Sequence, residues 1–221
     1  MNKERREQGF TLIEMIGVLA VIAILVALLL PKVFEIMAES KANALVAAIR
    51  TYETAVVDYY SDISSLLPLD ATGVPTAEAT GDSATAVSLP ARLTLDSSDA
   101  LNTGANGWSR FKGPYLAKFV TAVPPGLGTG VYMPATAPVS YGTATTASNI
   151  AWDLNNDGNS DIPSGANVVY VYFTGISDSD FDKVDAIIDP GMGTTTAQRV
   201  LRGRVKYDSA TDQMMIYLNH G

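Results

Sequence analysis

Residues 10–30, FTLIEMIGVLAVIAILVALLL, run for 21 positions with a single charged side chain, Glu14. At 1.5 Å per residue this is about 31 Å of helix, the thickness of one hydrocarbon core. A transmembrane helix is therefore the first expectation. A secretory signal peptide is the alternative, but its apolar region is shorter and ends at a small-x-small cleavage site. Here the run continues into Pro31-Lys32-Val33, and the segment before it, residues 1–9 (MNKERREQG), carries five charges.

Glu14 conflicts with its surroundings. A carboxylate near the middle of a spanning helix costs about 2.5–3.5 kcal/mol on insertion scales, and less near an end. Two readings account for it. One is a side chain that snorkels to the interface. The other is a pair with an amine: were the chain cut between Gly9 and Phe10, the new ammonium of Phe10 on an axially shifted neighbouring copy would reach the same depth. Each charge would then neutralise the other in a low dielectric.

The string Gly9-Phe10-Thr11-Leu12-Ile13-Glu14 after a short charged leader resembles the type III signal of type IV pilins and type II secretion pseudopilins. The resemblance covers residues 1–35. It implies cleavage after Gly9 by a prepilin peptidase, N-methylation of Phe10, and a role for Glu14 in guiding the subunit into a growing filament. Pro31 falls where that family often carries a proline that lets the helix extend, and its ring is expected to kink or melt the preceding turn. The implied partners are further copies of the chain in a helical homopolymer, the prepilin peptidase, an inner-membrane assembly platform and minor pilins. The implied location is the bacterial inner membrane as a precursor, then a periplasmic or cell-surface filament.

Beyond the membrane run, Leu45, Ile49, Tyr52, Val56, Tyr59 and Ile63 recur at spacings of 4, 3, 4, 3 and 4, one apolar face of a helix. A nearly continuous helix from Phe10 to about Asp62 is predicted, with the tyrosines Tyr52, Tyr59 and Tyr60 packing under a sheet. Residues 64–90 read as loop, and residues 96–101 as one helical turn with an Asp or Ser cap. Trp108 and Gly113-Pro114-Tyr115-Leu116 resemble, more weakly, a segment preceding the sheet in pseudopilins. Residues 119–152 contain no charged side chain and read as a loop, either exposed or packed between filament subunits.

Strands are expected at residues 168–173 and in a hairpin of residues 199–207 and 213–218. Between them, Ser177-Asp178 caps a short helix with Phe181, Val184 and Ile188 inward, stopped at Asp189-Pro190-Gly191. The fold class is thus α+β: a long N-terminal helix, its first half transmembrane, packed on a small C-terminal antiparallel sheet. Residues 1–9 form a leader, 10–30 the membrane and filament-core helix, and 31–221 a pilin-like head.

One segment has the pattern of a metal site. Asp153, Asn155, Asp157, Asn159 and Asp161 alternate around Gly158 as D-x-N-x-D-G-x-x-D, which lets one short loop wrap a calcium ion. The twelfth position is Ser164 rather than a bidentate Glu, so this is not an EF-hand; a plain Asx/Gly turn is the alternative. The acidic run Asp178, Asp180, Asp182 and Asp185 could add ligands, but a helix N-terminus favours acids in any case.

Composition narrows the rest. There is no cysteine, which removes disulfides, thiolate-zinc sites and thiol nucleophiles, and the single histidine is His220. Fifteen basic against 23 acidic residues give a net charge of −8, so no nucleic-acid partner is expected. No catalytic cluster is visible. A structural subunit is expected: of a type IV pilus-like filament, or as the major pseudopilin of a type II secretion system. A membrane-anchored extracytoplasmic binding module is the alternative from another class.

Overall fold

The computed structural model describes residues 10–76, 88–98, 105–120, 127–133, 135–136, 152–163, 166–192, 195, 198 and 202–221. Two units are distinguished, Met1–Ser40 and Lys41–Gly221. The leader with Gly9, the uncharged residues 137–151 and Ser164 lie outside the described residues.

Helix α1 spans Leu12–Ile63, 52 residues, and belongs to both units. In the first unit its large apolar side chains, Leu12 through Met37, are exposed. Pro31 lies inside α1, and the helix runs through it from Leu12 to Ile63.

In the second unit the predicted face is the buried one. Leu45, Ile49, Tyr52, Val56, Tyr59 and Ile63 are all buried, joined by Ala42, Val46 and Ala55. Burying each large apolar side chain contributes about 1.5–3 kcal/mol, so this stripe fixes the helix to the head. Tyr60 departs from the expectation, being 40% exposed. Ring partners of the other two tyrosines come from residues 111–119: Tyr52 meets Phe119 at 5.1 Å, and Tyr59 meets Tyr115 edge-on at 5.6 Å. The Tyr59 hydroxyl donates to the Leu67 carbonyl at 2.9 Å.

The segment after α1 holds a helix the sequence did not suggest. Helix α2, Leu89–Thr94, starts at Ser88, whose hydroxyl accepts from the Ala91 amide, with a proline in its first turn. The Asp96 carboxylate accepts the amide and hydroxyl of Ser98; residues 99–101 of the expected helical turn lie outside the described residues. A 3-10 turn at Asn106–Ser109 buries Trp108, whose indole donates to the Asp70 carbonyl at 3.1 Å under the guanidinium of Arg92. Gly107 is required there, since a Cβ would lie 2.6 Å from a Leu69 methyl and 2.8 Å from the Gly73 carbonyl.

The sheet is antiparallel, with strands β1 (Gly130–Tyr132), β2 (Ala135–Thr136), β3 (Val168–Thr174), β4 (Val205–Asp208) and β5 (Gln213–His220). Their order is β1-β3-β5-β4, with β2 also on β3. Strands β1 and β2 lie where a loop was expected; they pair only with β3, in registers such as Val131↔Phe173 and Ala135↔Val169. The hairpin is present, with β4 at Val205–Asp208; residues 199–201 of its expected first strand lie outside the described residues. Gly203 turns the chain at φ 76°, and Asp189 Oδ2 accepts the amides of Arg204 and Val205, the latter at 2.7 Å. Helix α3, Asp178–Ile188, has the predicted Ser177 cap, with Phe181 and Val184 buried.

The sheet has two apolar faces. Val169, Val171, Phe173, Val205, Tyr207, Met214, Ile216 and Leu218 share a core with α1 residues 42–63, Phe181 and Val184. The opposite face carries Val168, Tyr170, Met215 and Tyr217, covered by Trp152 and Ile162 of the strap formed by residues 152–163.

Candidate functional site

At the start of α1 the carboxylate of Glu14 is held by its own helix end. Thr11 donates its amide to Glu14 Oε2 at 2.8 Å and its hydroxyl to the same oxygen at 2.7 Å. The Glu14 amide is directed at the Thr11 hydroxyl at 3.3 Å. This is a capping box, Thr at the N-cap and Glu at the third helical position, which satisfies amides the helix leaves open. Phe10 beside it is 80% exposed. In the uncut chain its nitrogen is an amide; cleavage after Gly9 would convert it to an ammonium. The Thr11-x-x-Glu14 spacing is the signal in the sequence that marks such a cap.

The aspartate loop is organised by its carboxylates. Asp153 Oδ1 accepts the Asp157 amide at 3.0 Å and Oδ2 the Gly158 amide at 2.9 Å. Asp161 Oδ2 accepts the amides of Leu154 and Asn155 at 2.6 and 3.0 Å. Asp157 Oδ1 accepts the Asn159 amide at 2.8 Å, the main reason its carboxyl sits below the usual range. The side-chain amide of Asn155 donates to both Asp161 Oδ1 (2.9 Å) and Asp157 Oδ2 (3.3 Å), so these two carboxylates converge on one point. Asn159 bonds to Asp157 through both its backbone amide and its side chain, and Asn156 and Gly158 turn the chain with positive φ. Among the described residues no group of three or more His, Cys, Asp or Glu side chains is arranged as a metal set. Asp153 is directed inward, 4% exposed, with its carbonyl accepting the Gly203 amide at 2.7 Å.

Comparison with known proteins bears on the first of these two sites. Residues 5–30 match the family described as the prokaryotic N-terminal methylation motif. No curated protein and no solved structure matches the chain. The chain carries the N-terminal cleavage and methylation signature of type IV pilins and pseudopilins, on a helix long and apolar enough to cross a membrane. Together with the α+β head, these features define a membrane-anchored, prepilin-like structural subunit.

Proposed function

We propose that the chain is stored in the inner membrane, cleaved after Gly9, methylated on Phe10, and polymerised as the subunit of a type IV pilus-like filament with the apolar part of α1 at its core. The observation that carries this reading is Glu14. It is a lone carboxylate in an apolar run, and its Oε1 makes no hydrogen bond among the described residues while Oε2 caps the helix. An amine created one residue before Thr11 on a neighbouring copy is the matching partner. A prepilin peptidase and an assembly platform are the partners the motif calls for. The mass of the subunit in purified filaments tests the proposal: it should lack residues 1–9 and carry one added methyl group, and retention of Met1 would overturn it.

A second reading, the major pseudopilin of a type II secretion system, is favoured by one observation. The segment that resembles pseudopilins is part of the head's core, with Trp108, Phe111 and Leu116 buried and Tyr115 packed edge-on to Tyr59. Secretion of a reporter enzyme in a strain lacking this chain separates the two, since a pilus subunit would leave it intact. Calcium in the aspartate loop is the remaining part of the proposal. The reading is supported by the residue types, oxygen donors on an exposed turn that suit a hard cation, and by Asp157 and Asp161 converging on the Asn155 amide. Bound calcium would neutralise these carboxylates and pin the strap.

A further inference from the structure

Lys206 is the one lysine buried among the described residues. It lies on β4, paired with Met215, and is 0% exposed. Its ammonium nitrogen has no hydrogen-bond partner and lies 5.6 Å from the centre of the Trp152 ring. The Trp152 indole nitrogen is buried and unpartnered as well. Over this amine the strap lays apolar groups, Trp152 and Ile162, while its polar ties to the chain before β4 run through Asp153, whose carbonyl accepts the Gly203 amide at 2.7 Å and whose carboxylate lies 4.0 Å from the Arg202 guanidinium. A neutral amine tolerates such a site; an ammonium without a partner is strongly disfavoured there.

We propose that Lys206 makes docking of the 152–163 strap on the sheet proton-dependent, the strap closing best over the uncharged amine and loosening as the amine takes up a proton. The groups that face it are Asp153 in the strap and Asp185 and Asp189 on and after α3. On the sheet itself are Arg204, whose guanidinium lies over the Tyr217 ring, and the phenols of Tyr170 and Tyr217, the latter bonded to His220. The acids favour the charged form, but none hydrogen-bonds to the amine, and burial outweighs them, bringing Lys206 down to about 7. With the strap open the amine returns to the ordinary lysine value near 10.5. The open state thus binds more protons than the closed one between these values. Docking weakens as pH falls through that window, by up to about tenfold per pH unit, and levels off below about 7.

Amide exchange on the full chain in detergent micelles tests this, with a chelator present so that no cation holds the loop. After correction for intrinsic rates, protection of the Gly203 amide, which donates to the Asp153 carbonyl of the strap at 2.7 Å, should rise up to about tenfold per pH unit between about pH 7 and 9. In Lys206→Met that slope should vanish. Equal slopes in the two proteins would overturn the proposal. The ¹³Cε resonance of Lys206 in the wild-type chain gives a measurement that needs no variant: a midpoint near 7 supports the latch, and one near 10 overturns it.

Discussion

Thr11 and Glu14 close on each other at 2.7 Å, hydroxyl to carboxylate, before any neighbour is present. Two roles of the acid can therefore be separated by chemistry. Glutamine keeps the oxygen that caps the helix and removes the charge; alanine removes both.

Glu14→Gln and Glu14→Ala subunits are expected to be processed and to accumulate in the membrane, with the head as stable as in the wild type. Both should yield few or no filaments. Losing one member of a buried pair costs about 3–5 kcal/mol, more than the roughly 2.5–3.5 kcal/mol gained on insertion. The cap does not account for the loss in Glu14→Gln, which keeps the capping oxygen. Filament yield in sheared fractions is the measurement. Wild-type yield from Glu14→Gln would mean that capping alone suffices and that no ion pair forms.

Acid should weaken the head through Asp62. Lys112 reaches its carboxylate at 2.6 Å and the Tyr115 hydroxyl donates to it at 3.0 Å. These hold the carboxyl below its usual value, with the Lys112 hydrogen bond the largest cause. A lowered carboxylate contributes stability above its unfolded value, near 3.9, and that contribution is lost as pH falls through the folded one. Melting followed from about pH 5 downward should show a steeper loss for wild type than for Lys112→Ala. The difference should shrink in high salt, because the lysine is exposed. Parallel curves would show that the bond contributes nothing.

If calcium occupies the aspartate loop, it should raise the melting temperature of the full chain in detergent micelles, and a chelator should reverse this. Binding to the folded state adds about 2.7 kcal/mol at a hundredfold excess over Kd. Asp161→Ala should abolish the response. It should also lower the metal-free melting temperature slightly, because the amides of Leu154 and Asn155 lose their acceptor. A wild-type melting temperature indifferent to calcium and chelator would leave the loop as an Asx turn.

What was legible in the sequence follows the strength of local signals. The stripe from Leu45 to Ile63 repeats often enough that the buried face of α1 could be named residue by residue, and Val168 to Phe173 is too β-branched to be much else. Helix α2 escaped because six residues with a proline at the second position give no period. Strands β1 and β2, three and two residues long, exist only through their pairing with β3. Lys206 was invisible for another reason. In Val205-Lys206-Tyr207 the alternation assigns the lysine to solvent, and only the strap, distant in sequence, reverses that. Glu14 was conspicuous as a charge in an apolar run; the aspartate loop was recognisable as a pattern, but its inward-facing Asp153 was not.

The Asp189 carboxylate has a consequence for crowding. It follows α3 and engages two amides at the start of β4, the outermost strand on its side of the sheet. An outer strand with open amides is a template for any similar strand that drifts alongside, and copies held shoulder to shoulder raise that hazard. By occupying those donors from within, Asp189 makes that end of the strand a poor template, so many heads can be brought together without zipping into one continuous sheet.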